Sequence, residues 1–139
     1  MGLVHAEIEL ISGDDLALNR RGYLPKEQIK RMKVTALVDS GAYMLAINET
    51  IQAQLDLSVV DKQIAELADG SQITLDVVGP VDVHFENRST TVRAMVLPGE
   101  AEVLLGSIPM EDMDVLIDPK QQRLIVNPKH PYKPKKPLK

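Results

Sequence analysis

The sequence of 139 residues contains no cysteine and no tryptophan, and its aromatic residues are three tyrosines and one phenylalanine. Without cysteine the chain has no disulfide, no thiolate nucleophile and no cysteine-ligated metal. The scarcity of aromatic rings removes the surfaces on which nucleic-acid bases stack, so we do not expect nucleic acid as a partner. The core must therefore come from valine, isoleucine, leucine, methionine and alanine, a composition that suits β-strands.

Long apolar runs are also missing. No stretch approaches the ~20 apolar residues of a membrane-spanning helix, and residues 1–6 lack the basic region and apolar core of a secretory signal. These absences predict a cytoplasmic protein with no membrane partner. The histidines, His5, His84 and His130, are far apart in the sequence, so we expect no metal and no cofactor. The length predicts one domain over residues 1–127, followed by a tail over residues 128–139 that is rich in proline and lysine.

Two short apolar segments each end at small or turn-forming residues. Residues 36–42, ALVDSGA, are typical of a buried strand that ends at the carboxylate of Asp39. Taken alone, Asp39 and Ser40 could serve only to cap a turn. The second segment is another apolar strand stopped by glycine, and the residues from Ser107 onward have the pattern of a helix start. Its defining residues are Leu104, Leu105 and Gly106.

In order and spacing, the two segments resemble those of the retropepsin-like aspartic peptidases, particularly the single-domain cellular relatives of the retroviral proteases (clan AA). The resemblance extends from about residue 32 to residue 127. It implies a mostly β, closed acid-protease barrel with one or two short helices. It also implies that Asp39 is the catalytic acid, that Ser40 braces the two active-site loops, that Gly41 contacts substrate through its backbone, and that Ala42 completes the loop.

An Asp-Gly pair between two alternating segments is a strong signal for a β-hairpin turn. Any antiparallel sheet needs such turns, so the pair by itself favours a structural role. Its position between the two motifs, read with the resemblance, implies the substrate-binding flap. The residues of this predicted flap are Leu67, Ala68, Asp69, Gly70 and Ser71.

The remaining segments predict further strands and one helix. Asn48 is a suitable N-cap for a helix that buries Ile51 and Leu55. Residues 16–30 have no clean period and predict an excursion or a hairpin before the chain re-enters at Met32. The predicted elements are an alternating first strand Val4–Ile11 with Val4, Ala6, Ile8 and Leu10 on one face, a helix Glu49–Leu55, a hairpin of Val81–Phe85 with Thr91–Leu97, and a hairpin of Asp114–Ile117 with Arg123–Val126. In the family that the chain resembles, such terminal strands help to build a dimer.

Carboxylate-catalysed peptide hydrolysis needs one protonated and one ionised acid, and two carboxylates held close together share a proton in this way. The chain has one Asp-Ser-Gly segment, so a second copy must supply the second acid. We therefore expect an aspartic endopeptidase that acts on peptides or proteins as a homodimer. Retroviral members often carry an acid and an arginine where this chain has Tyr43 and Ser107, so the dimer must be stiffened in another way.

Two other functions fit the sequence. One is a non-catalytic peptide-binding dimer that keeps the acid-protease fold and binds by strand addition. The other is an adaptor that acts through the tail, where every third residue is proline between lysines, as in a polyproline II helix. Such a tail could fold back on the acidic body, dock on a partner or be disordered, and its composition favours disorder. The proline positions are Pro128, Pro131, Pro134 and Pro137.

Overall fold

The computed structural model describes residues 3–136 and residue 138. Over these residues it contains nine strands, three α-helices and one short 3-10 helix. The strands are β1 (His5–Ser12), β2 (Arg31–Val38), β3 (Leu45–Asn48), β4 (Val59–Glu66), β5 (Gln72–Phe85), β6 (Arg88–Leu97), β7 (Val103–Leu105), β8 (Val115–Asp118) and β9 (Arg123–Val126). The helices are α1 (Gly13–Arg20), α2 (Glu49–Leu55), α3 (Ser107–Met113) and the 3-10 turn Lys26–Gln28.

Six of the strands form a closed barrel. They follow the order β1-β2-β7-β3-β6-β5, and the pairing of β1 with β5 closes the ring. Strand β4 pairs with β5 outside the ring, while β8 and β9 form a separate two-stranded sheet. The predicted mostly β, closed acid-protease barrel is confirmed, with three short α-helices in place of one or two.

The barrel interior is aliphatic, as the composition requires. In β1 the alternating residues Ala6, Ile8 and Leu10 are buried, which confirms the predicted inward face of the first strand. Leu45 and Leu105, on strands from the middle of the ring, are completely buried. Each such leucine stabilises the fold by roughly 1.5–3 kcal/mol relative to an exposed side chain.

The predicted excursion at residues 16–30 is present between β1 and β2, but its first part is helical, because it belongs to α1. The Ser12 hydroxyl caps this helix by accepting a hydrogen bond of 3.2 Å from the Asp15 N–H. The Asp15 carboxylate in turn accepts a 2.9 Å hydrogen bond from the Lys30 N–H. Lys30 directly precedes β2, so this bond connects α1 to the point where the chain re-enters the barrel. The helix has no apolar period because the residues it buries are Gly13 and Asp15.

Several predicted strands and the predicted helix are confirmed, with boundaries shifted by one residue in β1 and β8 and changed further in β5 and β6. Asn48 caps α2 by accepting from the Ile51 N–H at 2.9 Å. The alternating segment predicted after Gly70 and the strand predicted at Val81–Phe85 are one strand of 14 residues, whose register with β6 shifts between Val78 and Val81. The turn after β5 is shorter than predicted, because Phe85 already pairs with Arg88.

Residues 128–136 of the tail fold back on the body of the protein. The Asn87 side chain donates to the Pro131 carbonyl at 2.9 Å, and the Lys135 N–H donates to Asp114 at 2.9 Å. The His130 N–H donates to the Asn127 carbonyl at 3.0 Å, an internal hydrogen bond that a polyproline II helix lacks. The disorder that the composition favoured is therefore not what the structure shows for these residues.

Candidate active site

The two sequence motifs lie side by side at one end of the barrel. Strands β2 and β7 run parallel, and Val38 is the register partner of Leu105. The pairing continues one step beyond β2, because the Asp39 N–H donates a 3.0 Å hydrogen bond to the Leu105 carbonyl. Leu105 is buried, whereas Leu104 is half-buried and pairs with Ala46 of β3. The sheet thus places the acid of the first motif beside the glycine that ends the second.

The Asp39 carboxylate is held by the loop between β2 and β3, residues 39–44, to which it belongs. Its Oδ1 accepts a hydrogen bond of 3.0 Å from the Gly41 N–H, and its main-chain carbonyl accepts one of 3.1 Å from the Ala42 N–H. Within the described residues, Oδ2 accepts no hydrogen bond, and the side chain is half-buried. The carboxylate therefore has one oxygen fixed and one oxygen free to meet water or another molecule.

Helix α3 holds the far side of the same loop. The Ser107 N–H donates to the Ala42 carbonyl at 2.8 Å, and the Ile108 N–H donates to the Tyr43 carbonyl at 2.9 Å. No side chain caps the start of α3, so the loop carbonyls satisfy N–H groups that a helix otherwise leaves without partners. The loop is thereby fixed to the barrel by β7 and to the helix by α3.

The Ser40 side chain is exposed and forms no hydrogen bond within the described part of the chain. Its expected role of bracing two active-site loops requires a second loop from another subunit, which a single chain does not supply. This role stays a prediction.

A cavity of about 580 Å³ opens next to the loop. Gly41 and Ala42 form one side, the outer strand β4 forms the other, and Leu104 lies between them. The lining is mainly apolar, with polar groups from Gln63 and Glu66. It is completed by Tyr43, Met44, Ala46, Ile64, Ala65, Met95, Leu97 and Ile108.

The predicted flap residues do not line this cavity. The four residues before them, 63–66, do so instead. The sequence pattern of β4 could not show that its residues line the cavity, because nearly all of its side chains are exposed in the single chain. The sequence also did not predict that Met44 and Ile108 line the cavity, although each lies within two residues of a motif.

The tip of the predicted flap is a tight hairpin loop. The Gly70 N–H donates to the Leu67 carbonyl at 2.9 Å, and the Leu67 N–H donates to the Ser71 carbonyl at 2.8 Å. Gly70 has a φ of +87°, so the connection is a turn closed by a glycine bulge, one residue longer than the predicted Asp-Gly turn. Hydrogen bonds from the Ser71 hydroxyl and N–H to the Asp69 carboxylate lower the pKa of Asp69.

Other carboxylates of the chain are already engaged. Asp69 accepts from Ser71 at 2.5 and 2.9 Å, and Asp112 accepts from the Thr90 hydroxyl at 2.5 Å and from the Lys136 ammonium at 3.3 Å. Among the described residues, no three His, Asp or Glu side chains are grouped so that they could bind a metal ion. In that same part of the chain, no helix has the length and apolar character needed to cross a membrane.

Comparison with known proteins agrees with this geometry. Residues 26–118 match the family described as gag-polyprotein putative aspartyl protease. The match includes both motifs, the cavity beside them and the hairpin between them. No curated protein matches the chain. Because the match covers well over half of the chain and includes the loop that holds Asp39, the protein belongs to this family of aspartyl protease domains.

Proposed function

We propose that the protein is an aspartic endopeptidase that acts as a homodimer. A water molecule between two Asp39 carboxylates, one from each subunit, would attack the scissile peptide carbonyl. The observation that carries the proposal is the loop itself, in which the Gly41 N–H fixes one carboxylate oxygen of Asp39 at 3.0 Å, while no described residue donates a hydrogen bond to the other oxygen. Membership of an aspartyl protease family supports the same chemistry.

The chemistry requires two carboxylates that share one proton. Like charges held close together do not both ionise, so one acid takes the proton while the other remains a base. The ionised carboxylate removes a proton from water, and the protonated one donates a hydrogen bond to the scissile carbonyl. Asp69 and Asp112 are poor candidates for the second acid, because Ser71 engages the first and Thr90 and Lys136 engage the second.

The proposed substrate is an extended peptide. The cavity beside Gly41 is mainly apolar and is large enough for a bulky side chain, while β4 has one edge that pairs with no other strand of the sheet. Such an edge offers main-chain hydrogen bonds to an extended chain, and the cavity then accepts one of its side chains. The hairpin tip at residues 67–71 would close over the peptide as a flap.

The experiment is cleavage of a peptide library by the purified protein and by its Asp39→Asn variant across acidic to neutral pH. Asp39→Asn keeps the size of the side chain and its acceptor oxygen but removes the acid. Asp14→Asn is the matched control, because it makes the same change at an exposed residue of α1, outside the two motifs and the predicted flap. Cleavage by the unmodified and Asp14→Asn proteins alone supports the proposal. Equal cleavage by Asp39→Asn contradicts it.

The second candidate function is a peptide-binding dimer without catalysis. The specific observation in its favour is the open cavity between the loop and β4, which would hold a peptide whether or not Asp39 performs chemistry. The charged pair that many retroviral relatives carry is replaced by Tyr43 and Ser107. Peptide binding without cleavage, equally strong in the unmodified and Asp39→Asn proteins, would favour this function.

A further inference from the structure

The carboxylate of Asp114, just beyond the end of α3, contacts several residues of the C-terminal segment of the chain. Asp114 Oδ2 lies 2.7 Å from Nδ1 of His130 and accepts from the Lys135 N–H at 2.9 Å. Its Oδ1 accepts from the Asn127 side-chain amide at 3.0 Å. Residues 127–136, here called the strap, therefore curve around Asp114, whose side chain is only 12% exposed.

A buried arginine makes the strap part of the folded body. Arg88 at the start of β6 is 1% exposed, and its Nη2 donates to the His130 carbonyl at 2.5 Å and lies 3.8 Å from Asp114. Within the described residues, Nε and Nη1 of Arg88 have no hydrogen-bond partner. Burial of a charged guanidinium group costs free energy unless the group is paired. The His130 carbonyl of the strap and the Asp114 carboxylate therefore offset part of the free-energy cost of burying Arg88.

The opposite end of the same helix holds the candidate active-site loop. Helix α3 has seven residues, so its ends are about 10 Å apart at 1.5 Å per residue. At its start the Ser107 and Ile108 amides bind the loop, and just beyond its end Asp114 binds the strap. A helix this short is not stable by itself and depends on tertiary contacts at both ends.

We propose that the strap positions the active-site loop through α3. By fixing the end of the helix, it keeps the Ser107 and Ile108 amides against the loop carbonyls. A partner that captured the strap, or a protease that removed it, would loosen the loop. The proposed consequence for cleavage rests on the proposed function, whereas the effect on the loop itself does not.

The test is amide hydrogen exchange in the intact protein, in His130→Ala and in a chain that ends at residue 127. His130→Ala removes the imidazole from Asp114 but keeps the main-chain carbonyl that Arg88 contacts. His84→Ala on β5 is the matched control. We expect the Ser107 and Ile108 amides to exchange about tenfold faster in the shortened chain, as for the loss of one charge-assisted hydrogen bond, and several-fold faster in His130→Ala. The amides of β1 should keep their exchange rates.

Two results would overturn the proposal. One is unchanged exchange of the Ser107 and Ile108 amides in His130→Ala, a variant that decides the matter even where the shortened chain fails to fold. The other is equal acceleration throughout the barrel, which would make the strap a source of global stability alone. If exchange changes as expected but neither the intact protein nor its variants cleave peptide, the proposed role of the strap is supported and only the proposed peptidase function is contradicted.

Discussion

Gly106 lies so close to Tyr43 that a β-carbon at residue 106 would be 2.7 Å from the Tyr43 carbonyl carbon and closer still to the Met44 carbonyl oxygen. The obstructing atoms belong to the main chain of the loop, so they cannot move aside as a flexible side chain would. The glycine of the second motif therefore sets how closely β7 and α3 approach the loop of the first.

The first prediction concerns this approach. Gly106→Ala should destabilise the fold by roughly 1–3 kcal/mol, the range for overpacking a well-packed site, and should lower cleavage further by displacing the loop. Ser107→Ala is the control, because it changes the next residue without affecting the close contact. Urea unfolding and cleavage rate measure the two effects. Wild-type stability and activity in Gly106→Ala would show that the contact does not constrain the loop.

The second prediction concerns stoichiometry. If each site uses two copies of Asp39, a mixed dimer with one Asp39→Asn chain has a single carboxylate and should be nearly inactive. Adding an excess of Asp39→Asn protein to a fixed amount of active protein should suppress the initial cleavage rate as the chains exchange. Excess Asp14→Asn protein should not suppress it. With exchange verified by native mass spectrometry, a constant rate per active chain would refute a shared pair of acids.

The third prediction concerns the flap. Gly70→Val should reduce turnover more than stability, because a β-branched residue at a φ of +87° distorts the hairpin tip that we propose closes over the peptide, while its surroundings are open. Gly22→Val is a closely matched control, since Gly22 has a φ of +81° and equally open surroundings. We expect similar losses of melting temperature in both variants and a loss of cleavage in Gly70→Val alone. Equal cleavage by the two variants would argue against a flap at this hairpin.

The fourth prediction concerns acid stability. Hydrogen bonds from the Lys135 N–H and the Asn127 amide, with the nearby His130, lower the pKa of Asp114 from 3.8 to about 2. A lowered pKa in the folded state stabilises the protein above the unfolded value near 3.8, and this contribution disappears as the pH falls toward 2. Asp114→Asn should therefore be less stable than the unmodified protein at neutral pH, and the difference should shrink in acid.

Urea unfolding at a series of pH values measures this difference. Glu111→Gln provides the control, because it neutralises an exposed residue of α3 whose carboxylate forms no hydrogen bond among the described residues. A difference in unfolding free energy between Asp114→Asn and the unmodified protein that stayed constant down to pH 2 would contradict the prediction.

Local patterns predicted much of the fold. The alternation of apolar and polar residues identified the inward face of β1, and Asn48, as the predicted N-cap, identified the first residue of α2. The Asp69-Gly70 pair located a hairpin, although the turn has one more residue than predicted. These features depend on interactions between residues close in the chain, so a few neighbouring side chains are enough to specify them.

The same patterns failed where a segment owes its structure to distant residues. Helix α1 has no apolar period, and its first turn is held by the hydrogen bond from the Lys30 N–H to the Asp15 carboxylate. The tail has the composition of a disordered segment, yet Asp114 and the buried Arg88 hold it against the body. In both cases the deciding partners are polar groups elsewhere in the sequence, which hydrophobic periodicity does not report.

The sequence by itself therefore determined the residue types of the candidate site: an acid after a buried strand, a glycine after another, and a single copy of each. Only the tertiary structure decided that β2 and β7 pair in parallel, so that Asp39 meets Leu105 and the loop meets α3. It also placed β4, rather than the hairpin tip, against the cavity. Strand pairing is set by the closure of the whole barrel around its core, and that closure joins residues far apart in the chain.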